Sequence, residues 1–171
     1  EDGMKACLCL LLTLGLVPPA FAEKRELAFF HTHTGKSVDL VYYIDGHYVQ
    51  TALRKLNDFL KDFRNGDEHP IDPSLFDVLH EIKTRTGSQR PFEVISAFRS
   101  PVTNEMLRNR AANSGVAKDS MHTHGKAIDV RLADVDLTTL RDVALKLQRG
   151  GVGFYRDSNF VHVDTGRVRR W

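Results

Sequence analysis

The stretch Ser120-Met121-His122-Thr123-His124-Gly125-Lys126-Ala127-Ile128-Asp129 constrains the fold of this chain more than any other. His122 and Asp129 stand on either side of Gly125, and Asp129 opens an apolar, β-branched run. A second short run, Phe160-Val161-His162-Val163-Asp164, follows near the end. Side chains alternate along a strand, so Ala127, Asp129 and Arg131 share one face and Ile128, Val130 and Leu132 the other. By the same rule Val161 and Val163 face the core while Phe160, His162 and Asp164 face away. If the two strands are neighbours, Asp129 and His162 project from one surface, and His122 reaches back over the glycine turn. A carboxylate buried without a partner is costly, so Asp129 requires one. Two histidines and a carboxylate are a common protein set for a catalytic zinc, with the fourth position left to water. Spacing alone leaves this reading level with that of ordinary hydrogen-bonded core residues.

The rest of the chain supplies a scaffold. Leu27–His31 and Ser37–Ile44 read as strands joined by the turn Thr34-Gly35-Lys36. Leu53, Leu56, Phe59, Leu60 and Phe63 recur at helical spacing, with Gly66 as the stop. Asp72-Pro73 caps and opens a helix through Leu75, Phe76, Leu79 and Ile82 to Gly87. Pro91 to Phe98 reads as a strand, and Ser100-Pro101 starts a helix carrying Met106, Leu107 and Ala111 toward Gly115. Asp136 caps a last helix closed by Gly150-Gly151, before strands at Val152–Tyr155 and Phe160–Asp164. The basic tail from Arg167 to Trp171 shows no pattern. The order predicts an α+β single domain, its small antiparallel sheet carrying the site and packed with several helices.

The first residues read as an export signal. Lys5 precedes an apolar run from Ala6 to Val17, and Ala20-Phe21-Ala22 is a small-x-small cleavage pattern. The run is shorter than the roughly 20 residues that span a bilayer, so no stable membrane span is expected. Met4 is the expected start and Glu1-Asp2-Gly3 an upstream over-read. Without a twin arginine or a lipobox cysteine, the expectation is a soluble, monomeric periplasmic protein beginning near Glu23. Removing residues 1–22 takes both cysteines, Cys7 and Cys9, and leaves neither disulfide nor thiolate ligand. The remaining 23 Lys and Arg against 20 Asp and Glu give a net charge of +3, which does not imply nucleic acid.

The pattern Ser120-x-His122-x-x-Gly125-x-Ala127-x-Asp129, with His162 on a later strand, resembles the zinc motif of D-Ala-D-Ala carboxypeptidases and hedgehog-type domains. More closely, the chain resembles the YcbK-like murein endopeptidases, from about Leu27 to Trp171. The matching segments are His33-Thr34-Gly35, Ile71-Asp72-Pro73-x-Leu75-Phe76-Asp77, Ser96-x-x-Arg99-Ser100, Gly115-Val116-Ala117-Lys118, Gly150-Gly151-Val152-Gly153 and Asn159 to Gly166. The resemblance implies zinc held by His122, Asp129 and His162, and hydrolysis of peptide cross-links in peptidoglycan. It suggests diaminopimelate–diaminopimelate links; spacing does not separate these from D-Ala–diaminopimelate links. A zinc carboxypeptidase trimming stem peptides, or a zinc-containing wall-binding module without catalysis, remain alternatives. Related carboxypeptidases place a Glu or Asp base shortly before the second histidine, where this chain offers only Asp157. Asp164 is the favoured candidate, more as a brace for a ligand than as the base itself, and His124 is the third. Arg99, in a segment the family uses beside its site, suits a substrate carboxylate or an oxyanion. Ser120 and Tyr155 could border the cleft. His31 and His33 form a second His-x-His without a carboxylate and read as hairpin positions; His47, His69 and His80 read as surface residues.

Overall fold

Two sheet-building halves meet at the strand that leads into Arg99. The computed structural model describes residues 23–110 and 115–171, so the export segment read over residues 1–22, and Ala111, lie outside it. Its strands are β1 (Lys24–His31), β2 (Ser37–Ile44), β3 (His47–Tyr48), β4 (Phe92–Ser96), β5 (Ala127–Leu132), β6 (Gly151–Tyr155), β7 (Phe160–Asp164) and β8 (Arg169–Arg170). The helices are α1 (Gln50–Phe59), α2 (Pro73–Thr86), α3 (Pro101–Asn109) and α4 (Leu137–Leu147). All eight strands form one sheet in the order β3-β2-β1-β4-β5-β7-β6-β8.

The α+β single domain is as expected, but the sheet is neither small nor wholly antiparallel. The β1–β2 hairpin joins the site strands through a parallel β1–β4 pairing, Phe29 to Phe92 and His31 to Val94. At the other edge β8 pairs in parallel with β6. One apolar core covers the sheet's inner face. Ile128, Val130, Val161 and Val163 pack there with Leu75, Phe76, Leu79 and Ile82 of α2 and Leu140 and Ala144 of α4.

Helix ends follow the capping residues in two cases and depart in two. Asp72 accepts from the Ser74 amide at 3.0 Å ahead of Pro73, and α2 ends on left-handed Gly87. Ser100 accepts from the Thr103 amide at 3.2 Å ahead of Pro101. The first helix, by contrast, stops at Phe59 and does not run to Phe63. Asp62 draws the chain into a turn instead: its carboxylate accepts from the amides of Arg64 and Ser100, and its carbonyl from Gly66. The last helix ends on left-handed Gln148, φ 55°, ahead of the two glycines. The tail read as patternless is β8, held by Trp171 N donating to Val152 O and Phe154 N donating to Trp171 O.

Candidate metal centre

Two neighbouring strands and one turn bring the predicted ligands together. β5 and β7 pair antiparallel with Asp129 directly across from His162. Their side chains therefore leave the sheet on the same face, away from the valine core. His122 arrives from a short 3-10 turn over Met121–His124, capped by Ser120, whose Oγ accepts from the His122 amide at 3.4 Å. Gly125 closes that turn at φ +63°, and a Cβ there would collide with the Pro70 carbonyl oxygen. Both the conformation and the close approach demand glycine. A register shift between Val94 and Ser96 of β4 lies beside Asp129, a common place for a bulge to re-aim a strand.

Each histidine has one nitrogen committed outward and one turned inward. His122 Nδ1 donates to the Ala97 carbonyl at 2.6 Å, and His162 Nε2 donates to Asp164 Oδ2 at 3.0 Å. Those acceptors set the tautomers, which leaves lone pairs on His122 Nε2 and His162 Nδ1. The two inward nitrogens lie 3.2 Å apart, and Asp129 Oδ1 is 2.9 Å from His162 Nδ1 and 3.3 Å from His122 Nε2. A tetrahedral zinc with bonds of ~2.0–2.1 Å would space its ligand atoms about 3.3 Å apart. Three converging lone-pair donors of this spacing fit a cation. This is the one trio of His, Cys, Asp or Glu in such an arrangement among the described residues.

Burial and partners polarise the trio. Desolvation pushes the Asp129 carboxyl up, but the neighbouring imidazoles of His122 and His162 outweigh it and hold the carboxyl low. Burial disfavours the His162 cation, yet Asp129 and Asp164 together raise its basicity. Asp164 has no exposed side-chain surface. It accepts from the amides of Gly151 and Gly166 at 2.9 and 2.8 Å and from Arg169 Nη2 at 2.7 Å. Its oxygens are thus occupied by five donors, counting Arg169 Nη1 and His162 Nε2. That arrangement orients His162 rather than leaving a free base.

A cleft of about 430 Å³ opens over the trio, bordered by Arg99, Ser120, Met121, Tyr155, Phe160 and Trp171. A larger cavity, about 700 Å³, lies against β1, β2 and α2 and contains none of these residues. Arg99 is 9 % exposed; its Nη2 donates to Ser120 Oγ at 3.1 Å and its Nε has no protein acceptor. Burial lowers its pKa, opposed chiefly by the charge of Asp129. Of the remaining candidates, His124 pairs with Asp119 at 2.7 Å on the exposed rim, and Asp157 is exposed and off the cleft wall. His31 is buried against Phe59 and Phe63, while His33 stacks on Phe63. His69 is not a plain surface residue: it stacks on Phe98 at 5.1 Å. Sequence reasoning missed the Ala97 carbonyl, Arg169 and Trp171. The first is backbone and invisible in a sequence, and Val168-Arg169-Arg170-Trp171 has no strand alternation that would announce the other two.

The family model for peptidoglycan L,D-endopeptidase MepK matches residues 19–171. The chain belongs to this family. It is therefore a peptidase of a metal-dependent class, and the trio above is its possible metal site. The chain is 42 % identical over 161 residues to the peptidoglycan L,D-endopeptidase MepK of Escherichia coli (strain K12), covering 91 % of this chain and 87 % of that one. The Shigella flexneri protein of the same description matches with the same figures. The probable peptidoglycan L,D-endopeptidase MepK of Haemophilus influenzae is 40 % identical over 150 residues, covering 87 % of this chain and 80 % of that one. No solved structure matches the chain.

Proposed function

We propose that this chain is a zinc-dependent peptidoglycan endopeptidase acting in the periplasm on diaminopimelate–diaminopimelate cross-links. Residues 1–22 are its export signal and residues 23–171 its peptidase domain. The observation that carries the reading is the convergence of His122 Nε2, Asp129 Oδ1 and His162 Nδ1, each histidine pinned by an acceptor on its other nitrogen. A zinc ion held there supplies a Lewis acid for the peptide carbonyl and lowers the pKa of water toward about 7.

The chain's own groups supply the rest. Asp164 keeps the proton of His162 on Nε2 and so keeps Nδ1 free, with Arg169 and two amides fixing the carboxylate. The Ala97 carbonyl does the same for His122. Arg99 presents its guanidinium to the cleft, where it binds a stem-peptide carboxylate or the developing oxyanion. Ser120 aims it and caps the turn that carries His122.

The test is digestion of purified diaminopimelate-linked muropeptide dimers by the purified chain. Conversion to monomers with zinc, abolished by chelator and by His162→Ala, is the expected result. Intact dimers in the presence of bound zinc would overturn the endopeptidase reading. Release of a terminal residue without dimer opening would replace it with a carboxypeptidase.

A further inference from the structure

Tyr155, Phe160 and Trp171 line the cleft together with the trio and Arg99. Tyr155 and Phe160 stack on each other at 4.5 Å, so they have partners of their own. Trp171 is different: it is held on several sides and still 50 % exposed. Its backbone pairs with Val152 and Phe154. Its indole Nε1 donates to the Tyr155 hydroxyl at 2.9 Å, and the Arg169 guanidinium lies over the ring, 4.9 Å from its centroid. The ring centroid is 5.1 Å from that of His162. A Cβ on Gly153 would lie 2.7–2.8 Å from three indole atoms, so the ring can lie there only over a glycine.

An aromatic ring that is fixed but half exposed leaves apolar surface open at the cleft. A ligand that covers that surface gains apolar burial without having to order the side chain first. The position selects what can cover it. At 5.1 Å from a ligand histidine, the ring adjoins the bond to be cut, and not a sugar several stem-peptide residues away. The nine-tenths buried Arg99, with Nε unpartnered, adds a cation to the same cleft. The occupant therefore has an aliphatic stretch next to a carboxylate.

We infer that Trp171 is a substrate-positioning residue, its indole taking the methylene chain of the diamino acid at the cross-link while Arg99 takes a carboxylate of the same stem peptide. This rests on the endopeptidase reading above. Trp171 is the single tryptophan of the chain, so its emission reports on the cleft directly. Zinc-loaded protein titrated with monomeric muropeptide, the product of cleavage, should show a saturable change in emission. Trp171→Ala should raise KM for the dimer about five- to tenfold with kcat within about twofold and zinc content retained, the loss expected from uncovering part of one apolar side chain. Trp171→Phe should keep KM within about twofold of the parent.

Unchanged emission at saturating muropeptide, or a parental KM in Trp171→Ala, would overturn the inference. So would loss of zinc in step with activity in that variant, which would make the indole a support for His162 alone. Saturable emission change without cleavage would overturn the endopeptidase reading and leave Trp171 as a binding residue. Cleavage without emission change would do the reverse, and neither signal would overturn both.

Discussion

At His162 the donor set depends on which ring nitrogen carries the proton, and Asp164 decides it. The Nε2–H points to Asp164 Oδ2 at 3.0 Å, which frees Nδ1 toward Asp129 and His122. An Asp164→Asn variant weakens that acceptor, and zinc affinity should fall about ten- to hundredfold in competition with a chelator of known affinity. Unchanged affinity would remove Asp164 from the site. Gly125→Ala should cost at least about 1–3 kcal/mol of stability, because φ +63° is strained for alanine and the methyl meets the Pro70 carbonyl. Urea unfolding reads that loss directly; a midpoint equal to the parent's would mean that the turn relaxes freely. At this scale the sequence was readable where chemistry is local to one side chain. Alternation and the glycine turn put His122, Asp129 and His162 within reach of one another, the family resemblance singled them out as ligands, and the structure puts their donor atoms together. From the sequence Asp164 is favoured as a brace and still open as the base, because its five donors come from the backbone, from His162 and from a tail strand that no periodicity announced.

Among the elements, α2 and the strands β5 and β7 follow their sequence signals almost to the residue, since caps and alternation act over a few positions. The first helix does not, although its apolar spacing continues to Phe63. The competing influence is long-range: Asp62 is fully buried and accepts from the Ser100 amide at 3.0 Å, tying the end of α1 to the start of α3. Arg99 is the residue just before that amide, so the tether also fixes the strand end that carries it. Asp62→Ala leaves the Ser100 and Arg64 amides without their acceptor and should destabilise the fold by about 2–4 kcal/mol. Chemical denaturation measures this, and a change under about 0.5 kcal/mol would show that water replaces the carboxylate without loss. Strand β8 was missed for a similar reason. Two residues pairing with β6 produce no recognisable period, yet they deliver Arg169 to Asp164 and Trp171 to the cleft.

Across the whole molecule, the described residues form an apolar core that joins both halves of the sheet, on the face opposite the trio. Chelation should therefore leave the fold intact while lowering Tm by roughly 10 °C, the shift expected when a ligand present at about a thousand times its Kd is withdrawn. Unfolding on chelation would show instead that the metal holds the sheet together. A second whole-molecule response comes from His31, 1 % exposed, whose pKa burial pushes down to about 4, helped by the charges of His33 and Arg64. Its folded pKa lies below the unfolded value of about 6.5, so between these values the unfolded chain binds the extra proton. Stability is full above pH ~6.5 and falls as pH drops toward about 4, by at most about 3 kcal/mol. His31→Phe should flatten that part of the pH–stability curve, and an unchanged slope would assign it to other groups. Anomalous scattering at the zinc edge, from crystals of the zinc-loaded protein, shows whether His122, Asp129 and His162 hold the metal through these particular atoms. The expected result is one strong peak bonded to His122 Nε2, Asp129 Oδ1 and His162 Nδ1. A peak elsewhere, or bonding through His162 Nε2 with Asp164 displaced, would contradict it.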